Sequence, residues 1–249
     1  MRYVIVTGTS QGLGEAIAVQ LLEENTTVIS ISRRENKQLA KLAEQNDSNY
    51  IFHSIDLQDV HNLETHFNEV FSSIQKDNVS SIHLINNAGT LAPMKPIEKS
   101  ESEQFITNVH INLIAPMILT STFMKHTKDW KVEKRIINIS SGAGKNPYFG
   151  WGAYCTTKAG VNMFTQCVAT EEVEKEYPVK TVAFAPGVVD TNMQAQIRGT
   201  NKEDFINLDR FTALKEEGKL LSPEYVAKAI RNLLETENFP QGEVIRIDE

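Results

Sequence analysis

Tyr154 and Lys158 lie at the start of a predicted helix, directly after a loop rich in glycine and aromatic residues. Residues four apart on a helix are neighbours on one face. An ammonium group ~5 Å from a phenol oxygen favours the phenolate by roughly 3 kcal/mol at an effective dielectric of about 20, so we predict a lowered pKa for Tyr154. Such a phenol would exchange a proton with a carbonyl or alcohol oxygen.

Two further polar residues are candidates for the same site. Ser141 follows an apolar, strand-like run at 135–139, where its hydroxyl can hydrogen-bond a carbonyl oxygen and stabilise charge that develops there. Asn112 lies in an apolar helical pattern over 101–126, so it is either a local structural residue or part of a polar site. A nucleophilic serine is disfavoured, because no histidine is placed to act as its base and no glycine-flanked elbow surrounds it.

A glycine-rich turn near the N-terminus predicts a phosphate-binding site. The apolar run 2–7 leads into Gly8-Thr9-Ser10-Gln11-Gly12-Leu13-Gly14, and a helical pattern follows. The first amides of a helix lack internal partners, and glycines let a pyrophosphate approach the backbone. The alternative is an ordinary tight turn without a ligand, but the position between a strand and a helix favours a dinucleotide.

The end of the second predicted strand indicates which dinucleotide binds. Strand 26–31 leads to Ser32-Arg33-Arg34, where a dinucleotide fold usually carries an acid for the adenosine ribose. A carboxylate there would repel a 2′-phosphate, whereas arginine offers donors that match phosphate geometry. We therefore predict NADP(H) as the cofactor, the alternative being that both arginines are solvated surface residues.

Two more strand ends carry polar residues. Asp56 and Leu57 follow the third strand, where Asp56 either accepts a hydrogen bond from an adenine amino group or caps the loop. Asn86-Asn87-Ala88-Gly89 follows the fourth strand, and its amides either tie neighbouring strands together beside a cofactor or form a plain turn.

Strand and helix patterns alternate along the whole chain of 249 residues, with no low-complexity linker. This alternation predicts an α/β fold: a single Rossmann-type domain over 1–249, with a doubly wound parallel sheet and helices on both faces. The polar, weakly periodic segment 188–218 follows a strand end and is predicted to be a partly helical substrate lid.

The formal charge of −7 and the lack of a basic block disfavour nucleic acid and an anionic membrane surface as partners. A strand begins at residue 2, which disfavours a secretory signal, and the apolar run 113–124 is short of the ~20 residues that span a bilayer. Cys155 and Cys167 would lie roughly 18 Å apart on one helix, too far for a disulfide. Two unpaired thiols suit a reducing compartment, so we expect a cytoplasmic protein. No histidine is spaced from cysteines or acidic residues as metal ligands are, so we predict no metal site.

These motifs together resemble the short-chain dehydrogenase/reductase family over the whole chain. Residues 7–14 resemble its cofactor turn, 86–89 its Asn-Asn-Ala-Gly motif, and 154–158 its Tyr-x-x-x-Lys motif. The resemblance implies hydride transfer with a nicotinamide cofactor, a homodimer or homotetramer built on the helices that hold Asn112 and Tyr154, and a catalytic set of Asn112, Ser141, Tyr154 and Lys158. The residues predicted to contact the cofactor are Gly8, Ser10, Gln11, Gly12, Leu13, Gly14, Arg33, Arg34, Asp56, Leu57, Asn87, Ala88, Gly89, Tyr154, Lys158, Pro186, Gly187, Val189 and Thr191.

The predicted substrate is a small carbonyl compound with a bulky or aromatic body. Apolar residues cluster around the candidate site in the sequence, the alternative being that part of them only pack the loop. The residues predicted to contact the substrate are Ser141, Phe149, Trp151, Tyr154 and Met193, with Leu91, Ala143, Tyr148 and Phe205 on segments facing the same cleft. Within the family, the chain resembles reductases of benzil-like or sepiapterin-like ketones and diketones. The alternatives are a 3-oxoacyl-carrier-protein reductase, for which a basic docking patch is expected, a hydroxysteroid-type oxidoreductase, and a non-catalytic sensor of NADPH.

Overall fold

Seven parallel strands form one sheet in the order β3-β2-β1-β4-β5-β6-β7. The computed structural model describes residues 1–247. The strands are β1 (Arg2–Thr7), β2 (Thr26–Ser32), β3 (Asn49–Ser54), β4 (Ser81–Asn86), β5 (Glu133–Ile139), β6 (Val179–Ala185) and β7 (Val244–Arg246). The helices are α1 (Gly12–Leu21), α2 (Lys37–Gln45), α3 (Leu63–Ser72), α4 (Ser102–Val109), α5 (Ala115–Thr127), α6 (Gly152–Glu172), α7 (Asn192–Arg198), α8 (Leu208–Glu216) and α9 (Pro223–Glu235).

Helices cover both faces of the sheet because its strands are apolar on both sides. Side chains alternate between the two faces of a strand. Val4 and Val6 of β1 pack in a cluster with residues of α1, α2 and α9. Tyr3 and Ile5 pack in a second cluster with residues of α3 and α5. The predicted doubly wound α/β fold is confirmed.

β1 and β4 are neighbours in the sheet and pair in parallel. The strand order reverses direction between these two strands. Chain connections leave this point toward opposite faces of the sheet, and ligands of doubly wound folds bind in the crevice that results. The glycine-rich turn follows β1, and residues 86–89 end β4. The topology therefore brings the two predicted cofactor motifs side by side.

The predicted helix over 101–126 is interrupted in its hydrogen-bond pattern. A π-helical turn, His110–Ile114, separates α4 from α5 and contains Asn112.

The run Ser102–Thr127 is long and apolar enough to cross a membrane, a property that it shares with core helices of water-soluble proteins. Its residues Leu119 and Phe123 are fully buried in the cluster beneath the sheet, so this part of the run forms a layer of the core.

Two helix boundaries differ from those that the sequence pattern predicts. The pattern predicts a helix from Gly152 to about Tyr177, but α6 ends at Glu172. It also predicts a helix over 60–76, of which α3 covers only Leu63–Ser72, and a short 3₁₀ turn follows at Lys76–Asn78. The segment 188–218, which was predicted to be partly helical, contains α7 and α8 joined by a loop.

Candidate active site

The predicted catalytic pair, Tyr154 and Lys158, lies in the first two turns of α6, and both side chains are buried. Tyr154 is 7% exposed and Lys158 is 5% exposed. The Lys158 ammonium lies 5.7 Å from the centre of the Tyr154 ring. It donates a hydrogen bond of 2.7 Å to the carbonyl oxygen of Ile139, the last residue of β5. The helix and the strand end thus hold the two groups together.

Burial dominates the acid–base properties of this pair. Loss of solvent raises the pKa of Tyr154 to about 12, and a hydrogen bond with the Ser141 side chain opposes this rise. Burial also lowers the pKa of Lys158 to about 8. The predicted lowering of the Tyr154 pKa is therefore wrong for this geometry, because desolvation of the phenolate is the largest effect on this group. The phenol is consequently protonated at neutral pH.

Ser141, rather than Ser140, faces the tyrosine. Ser141 follows β5 and begins a short 3₁₀ turn, where its Oγ accepts a hydrogen bond of 3.2 Å from the Ala143 amide. The Ser140 hydroxyl is buried and donates to Oδ1 of Asn162 on α6. One serine of the pair therefore fixes the loop to the helix, and the other presents its hydroxyl to the site.

Asn112 is 1% exposed and its amide group pairs with the backbone of Thr90. Its Oδ1 accepts from the Thr90 amide at 2.8 Å, and its Nδ2 donates to the Thr90 carbonyl at 2.7 Å. A Cβ placed on Gly89 would lie 3.2 Å from Asn112 Oδ1 and 3.8 Å from Lys158 Nζ. Gly89 thus lies close to both polar groups, and a side chain at this position would crowd Asn112.

The glycine-rich turn packs so tightly that side chains are excluded from it. Gly8 and Gly12 have φ values of +75° and +64°. A Cβ on Gly14 would lie 2.1 Å from the Gly8 carbonyl oxygen. Within the described residues, the N-cap residue of α1, Gln11, makes no capping hydrogen bond with its side chain. The turn and the free helix N-terminus therefore fit the pyrophosphate of a dinucleotide.

Asn87 links the turn to the end of β4. Its amide group donates to the Thr7 carbonyl at 2.9 Å, and its backbone N–H donates to the Thr7 hydroxyl at 3.0 Å. The Ala88 amide donates to the same hydroxyl at 3.0 Å. Asn86 donates to Oδ1 of Asn138 on β5 at 2.8 Å. The two asparagines thus tie three strand ends together, as predicted.

The remaining predicted cofactor residues lie along the same edge of the sheet. Arg33 and Arg34 directly follow β2, are exposed, and form no ion pair within residues 1–247. Asp56 caps its own loop by accepting from the Gln58 amide at 3.0 Å, and the Leu57 side chain is buried in the core.

The segment after β6 approaches the glycine-rich turn from the other side. Pro186 and Gly187 directly follow β6, and Gly187 has a φ of +74°. Val189 is 9% exposed and forms an isolated bridge with Leu221. A Cβ on Gly12 would lie 3.4 Å from the Thr191 methyl group. Residues 186–191 therefore border the crevice that the turn opens into. Ser10 and Gln11 lie on the exposed side of that turn, and Leu13 packs against the core.

An aromatic wall lies beside Tyr154. We use this name for Tyr148, Trp151, Phe205 and Phe211. The Trp151 ring stacks on Phe205 with centroids 4.7 Å apart and planes at 3°, and meets Tyr154 edge-on at 5.8 Å. Leu91, Ala143, Ile197 and, partly buried, Met193 pack in the same cluster. Phe149, by contrast, is 44% exposed and is not part of this cluster.

Three residues near the site were not predicted from the sequence. Asn108 is fully buried and bonds to Asn112, and Thr157 bonds to Asn108 and to the Tyr154 carbonyl. Phe211 reaches the wall from α8. The signal for Asn108 was its spacing of four residues from Asn112 in an apolar helical pattern.

Residues 1–247 contain no group of three or more histidine, cysteine or acidic side chains arranged to hold a metal ion. Cys155 and Cys167 both lie on α6 and are free thiols. Burial lowers the pKa of His83 to about 3, so this fully buried imidazole is neutral.

The profile of the short chain dehydrogenase family matches residues 2–202. This chain belongs to that family. It is 89% identical over 249 residues to a benzil reductase ((S)-benzoin forming) of Bacillus cereus, with 100% of both chains covered. It is 30% identical over 248 residues to the sepiapterin reductase of Meriones unguiculatus, with 96% of this chain and 93% of the relative covered.

Solved structures of the family share the fold. The crystal structure of the KRED1-Pglu enzyme superimposes with a TM-score of 0.83 at 29% identity, covering 98% of this chain and 100% of that chain. The family resemblance drawn from the motifs is confirmed, as is the narrower resemblance to benzil and sepiapterin reductases. The protein is an oxidoreductase that interconverts carbonyl and alcohol groups.

Proposed function

We propose that the protein is an NADPH-dependent reductase of bulky aromatic ketones and diketones, with benzil as the model substrate. The observation that carries the proposal is the buried pair Tyr154–Lys158 next to an aromatic wall. The benzil reductase of Bacillus cereus, 89% identical over the whole chain, supports the same substrate class.

The proton in this reaction comes from Tyr154. A bound nicotinamide supplies the hydride. The phenol donates its proton to the carbonyl oxygen of the substrate, because a pKa of about 12 keeps it protonated at neutral pH. The Ser141 hydroxyl donates a hydrogen bond to the same oxygen and stabilises its developing charge. The Lys158 ammonium then stabilises the phenolate that remains.

Asn112 supports the return of a proton to this pair. The Asn112 amide and the Lys158 ammonium both lie near Gly89. A water molecule that bridges these two groups would connect Lys158 to the π-helical turn. Asn112 also holds Thr90, so the loop after Gly89 keeps its position.

The preference for NADPH rests on Arg33 and Arg34. Both guanidinium groups are exposed and free of ion pairs within the described chain, at the strand end that faces the adenosine ribose in this fold. A 2′-phosphate would therefore meet two available cations. The remaining predicted contacts are the glycine-rich turn, residues 87–89 and residues 186–191.

The aromatic wall explains the choice of substrate. Trp151 meets the Tyr154 ring edge-on, and Phe205 stacks on the Trp151 ring. Such an aromatic surface favours substrates with apolar or aromatic bodies. The loop and helices over 188–218 carry half of the wall, so we assign them the role of substrate lid.

The proposal extends to assembly and location. We propose a cytoplasmic homodimer or homotetramer assembled through the helices that hold Asn112 and Tyr154. Apolar side chains on these helices are exposed: Ile106 by 44%, Met117 by 37% and Met163 by 60%. Exposed apolar groups on one group of helices are typical of a subunit interface.

The decisive experiment compares wild type with Tyr154→Phe. We expect wild type to oxidise NADPH in the presence of benzil and to form one enantiomer of benzoin, as measured by absorbance and chiral chromatography. The variant should lose at least about 10³-fold in kcat, since its proton donor is gone. Its NADPH affinity, measured by fluorescence, should remain within about threefold, because the ring and Lys158 stay in place.

A wild-type enzyme without activity on benzil, or a variant with unchanged turnover, would contradict the proposal. The matched control is Tyr148→Phe, which removes a phenol oxygen from the aromatic wall without touching Lys158. Its kcat should stay within about threefold of wild type.

A further inference from the structure

The buried amide of Asn108 joins four segments of the chain. Its Nδ2 donates to the Ala92 carbonyl at 2.7 Å and to the Thr90 carbonyl at 3.2 Å. Its Oδ1 accepts from Asn112 Nδ2 at 3.0 Å and from the Thr157 hydroxyl at 3.1 Å. These bonds use both donors and both acceptor positions of the amide. The Asn108 side chain is fully buried, so water offers no replacement for any of them.

Thr157 brings this amide to the catalytic helix. It lies between Tyr154 and Lys158 in sequence and is fully buried. Its hydroxyl lies 3.1 Å from the Tyr154 carbonyl oxygen and 3.1 Å from Asn108 Oδ1. A hydroxyl has one proton to donate, so these two acceptors share it. The turn of α6 that carries both catalytic groups is thus tied to the end of α4.

The other partners of Asn108 border the site from the opposite side. Thr90 is held by Asn108 and Asn112 together. Leu91, the next residue, is 2% exposed and packs against the aromatic wall. Asn108 therefore fixes the distance between the catalytic face of α6 and the loop 90–92, which follows Gly89.

We propose that Asn108, acting through Thr157 and Asn112, is a positioning residue for the reduction. It holds the Tyr154 turn, the π-helical turn and the loop 90–92 in the arrangement that proton transfer requires. A displacement of about 1 Å at reacting groups can lower the rate about 10²-fold, so a buried amide that touches no substrate can still control turnover. This inference rests on the proposed function, because it concerns the same proton transfer.

The chain supplies a matched control on the same helix. Thr165 is fully buried on α6, donates to the Val161 carbonyl at 2.8 Å and accepts from Asn138 Nδ2 at 2.9 Å. It resembles Thr157 in burial and bonding, but its hydrogen bonds go to Val161 and Asn138 and not to Asn108, Tyr154 or Lys158. Thr157→Val and Thr165→Val remove the same atom and keep the same shape.

The test measures kcat with benzil and NADPH, and the melting temperature. The value of kcat is normalised to the number of subunits that bind NADPH. We expect Thr157→Val and Asn108→Leu each to lower kcat about tenfold, with KM for NADPH within about threefold. Thr157→Ser should recover most of the loss. The double variant should be no slower than the worse single variant, because both changes break one network. Thr165→Val should lose similar thermal stability and keep kcat within about twofold.

Equal kcat values for Thr157→Val and Thr165→Val would overturn the inference, as would losses that multiply in the double variant. If Asn108→Leu does not fold, the comparison of the two threonine variants still decides. A wild-type enzyme that fails to reduce benzil would overturn the proposed function and this inference with it. If the wild-type enzyme reduces benzil and Thr157→Val has the same kcat as wild type, only the inference is overturned.

Discussion

At the scale of single residues, burial moves the pKa values of Tyr154 and Lys158 away from those of free side chains, and the two shifts have different consequences for the proposed reduction. The phenol, with its pKa raised to about 12, keeps its proton until a carbonyl oxygen gains charge. The amine, with its pKa lowered to about 8, carries its charge only below that pH. In the proposed reaction the pair would therefore act as an acid and a counter-charge at neutral pH, and the counter-charge would be lost in mild alkali.

We predict that kcat for carbonyl reduction falls as pH rises through about 8. Above this value Lys158 is neutral and no longer stabilises the phenolate that Tyr154 becomes after proton transfer. The measurement is a pH profile of kcat at saturating NADPH and benzil. A profile that stays flat up to pH 10 would contradict the assignment of the alkaline limb to Lys158.

The titration of Lys158 changes stability and kcat in opposite directions as pH rises, so the two effects can be separated. The folded pKa of Lys158, about 8, lies below the value near 10.4 of an unfolded lysine. Between these values the unfolded chain binds more protons, so the contribution of Lys158 to stability rises with pH. Melting temperatures recorded across the same pH range serve as the control for the kinetic profile.

At the scale of helices and strands, the sequence predicts what local patterns determine. The turn after β1 and the Tyr154–Lys158 face depend on contacts between close neighbours in sequence, and both were predicted correctly in position. The π-helical turn was not predicted, because its hydrogen-bond shift leaves the apolar periodicity of 101–126 intact. Contacts between distant segments were also missed, such as the bond of Asn108 to Thr157.

The aromatic wall shows the same limit. The Trp151 ring was placed near the site by its proximity to Tyr154 in sequence, but its stacking partner lies 54 positions later, on the segment between α7 and α8. Phe149 is equally near in sequence and is 44% exposed instead. Proximity along the chain could not distinguish the two, because Gly150 between them reverses the backbone with a φ of +79°.

We predict that Phe205→Ala weakens the binding of aromatic substrates. The change removes the ring that stacks on Trp151 and holds the segment 188–218 against the wall. KM for benzil should rise about tenfold, and KM for a small aliphatic diketone should change less than threefold. Ile206→Ala is the control, because the neighbouring Ile206 side chain is 58% exposed. Equal increases for both substrates would argue against an aromatic binding wall.

At the scale of the whole molecule, charge works against the proposed cofactor. The protein has a formal charge of −7, and NADPH is an anion. Long-range repulsion is weak at physiological salt, because charges separated by more than about 8 Å are screened. Local cations can therefore outweigh the net charge, and Arg33 and Arg34 are placed at the strand end where a 2′-phosphate would lie.

We predict that Arg33→Asp weakens NADPH binding about 100-fold and changes NADH binding less than threefold, because only NADPH carries the phosphate that the guanidinium would bind. Lys41→Asp makes the same change in net charge at an exposed position of α2 and is the matched control. Fluorescence titrations of both nucleotides at low and high salt measure the effect. If the local contact dominates, Lys41→Asp stays within about threefold of wild type for both cofactors. Equal losses for NADPH and NADH in Arg33→Asp, or equal losses in the two variants, would show that Arg33 does not recognise the 2′-phosphate.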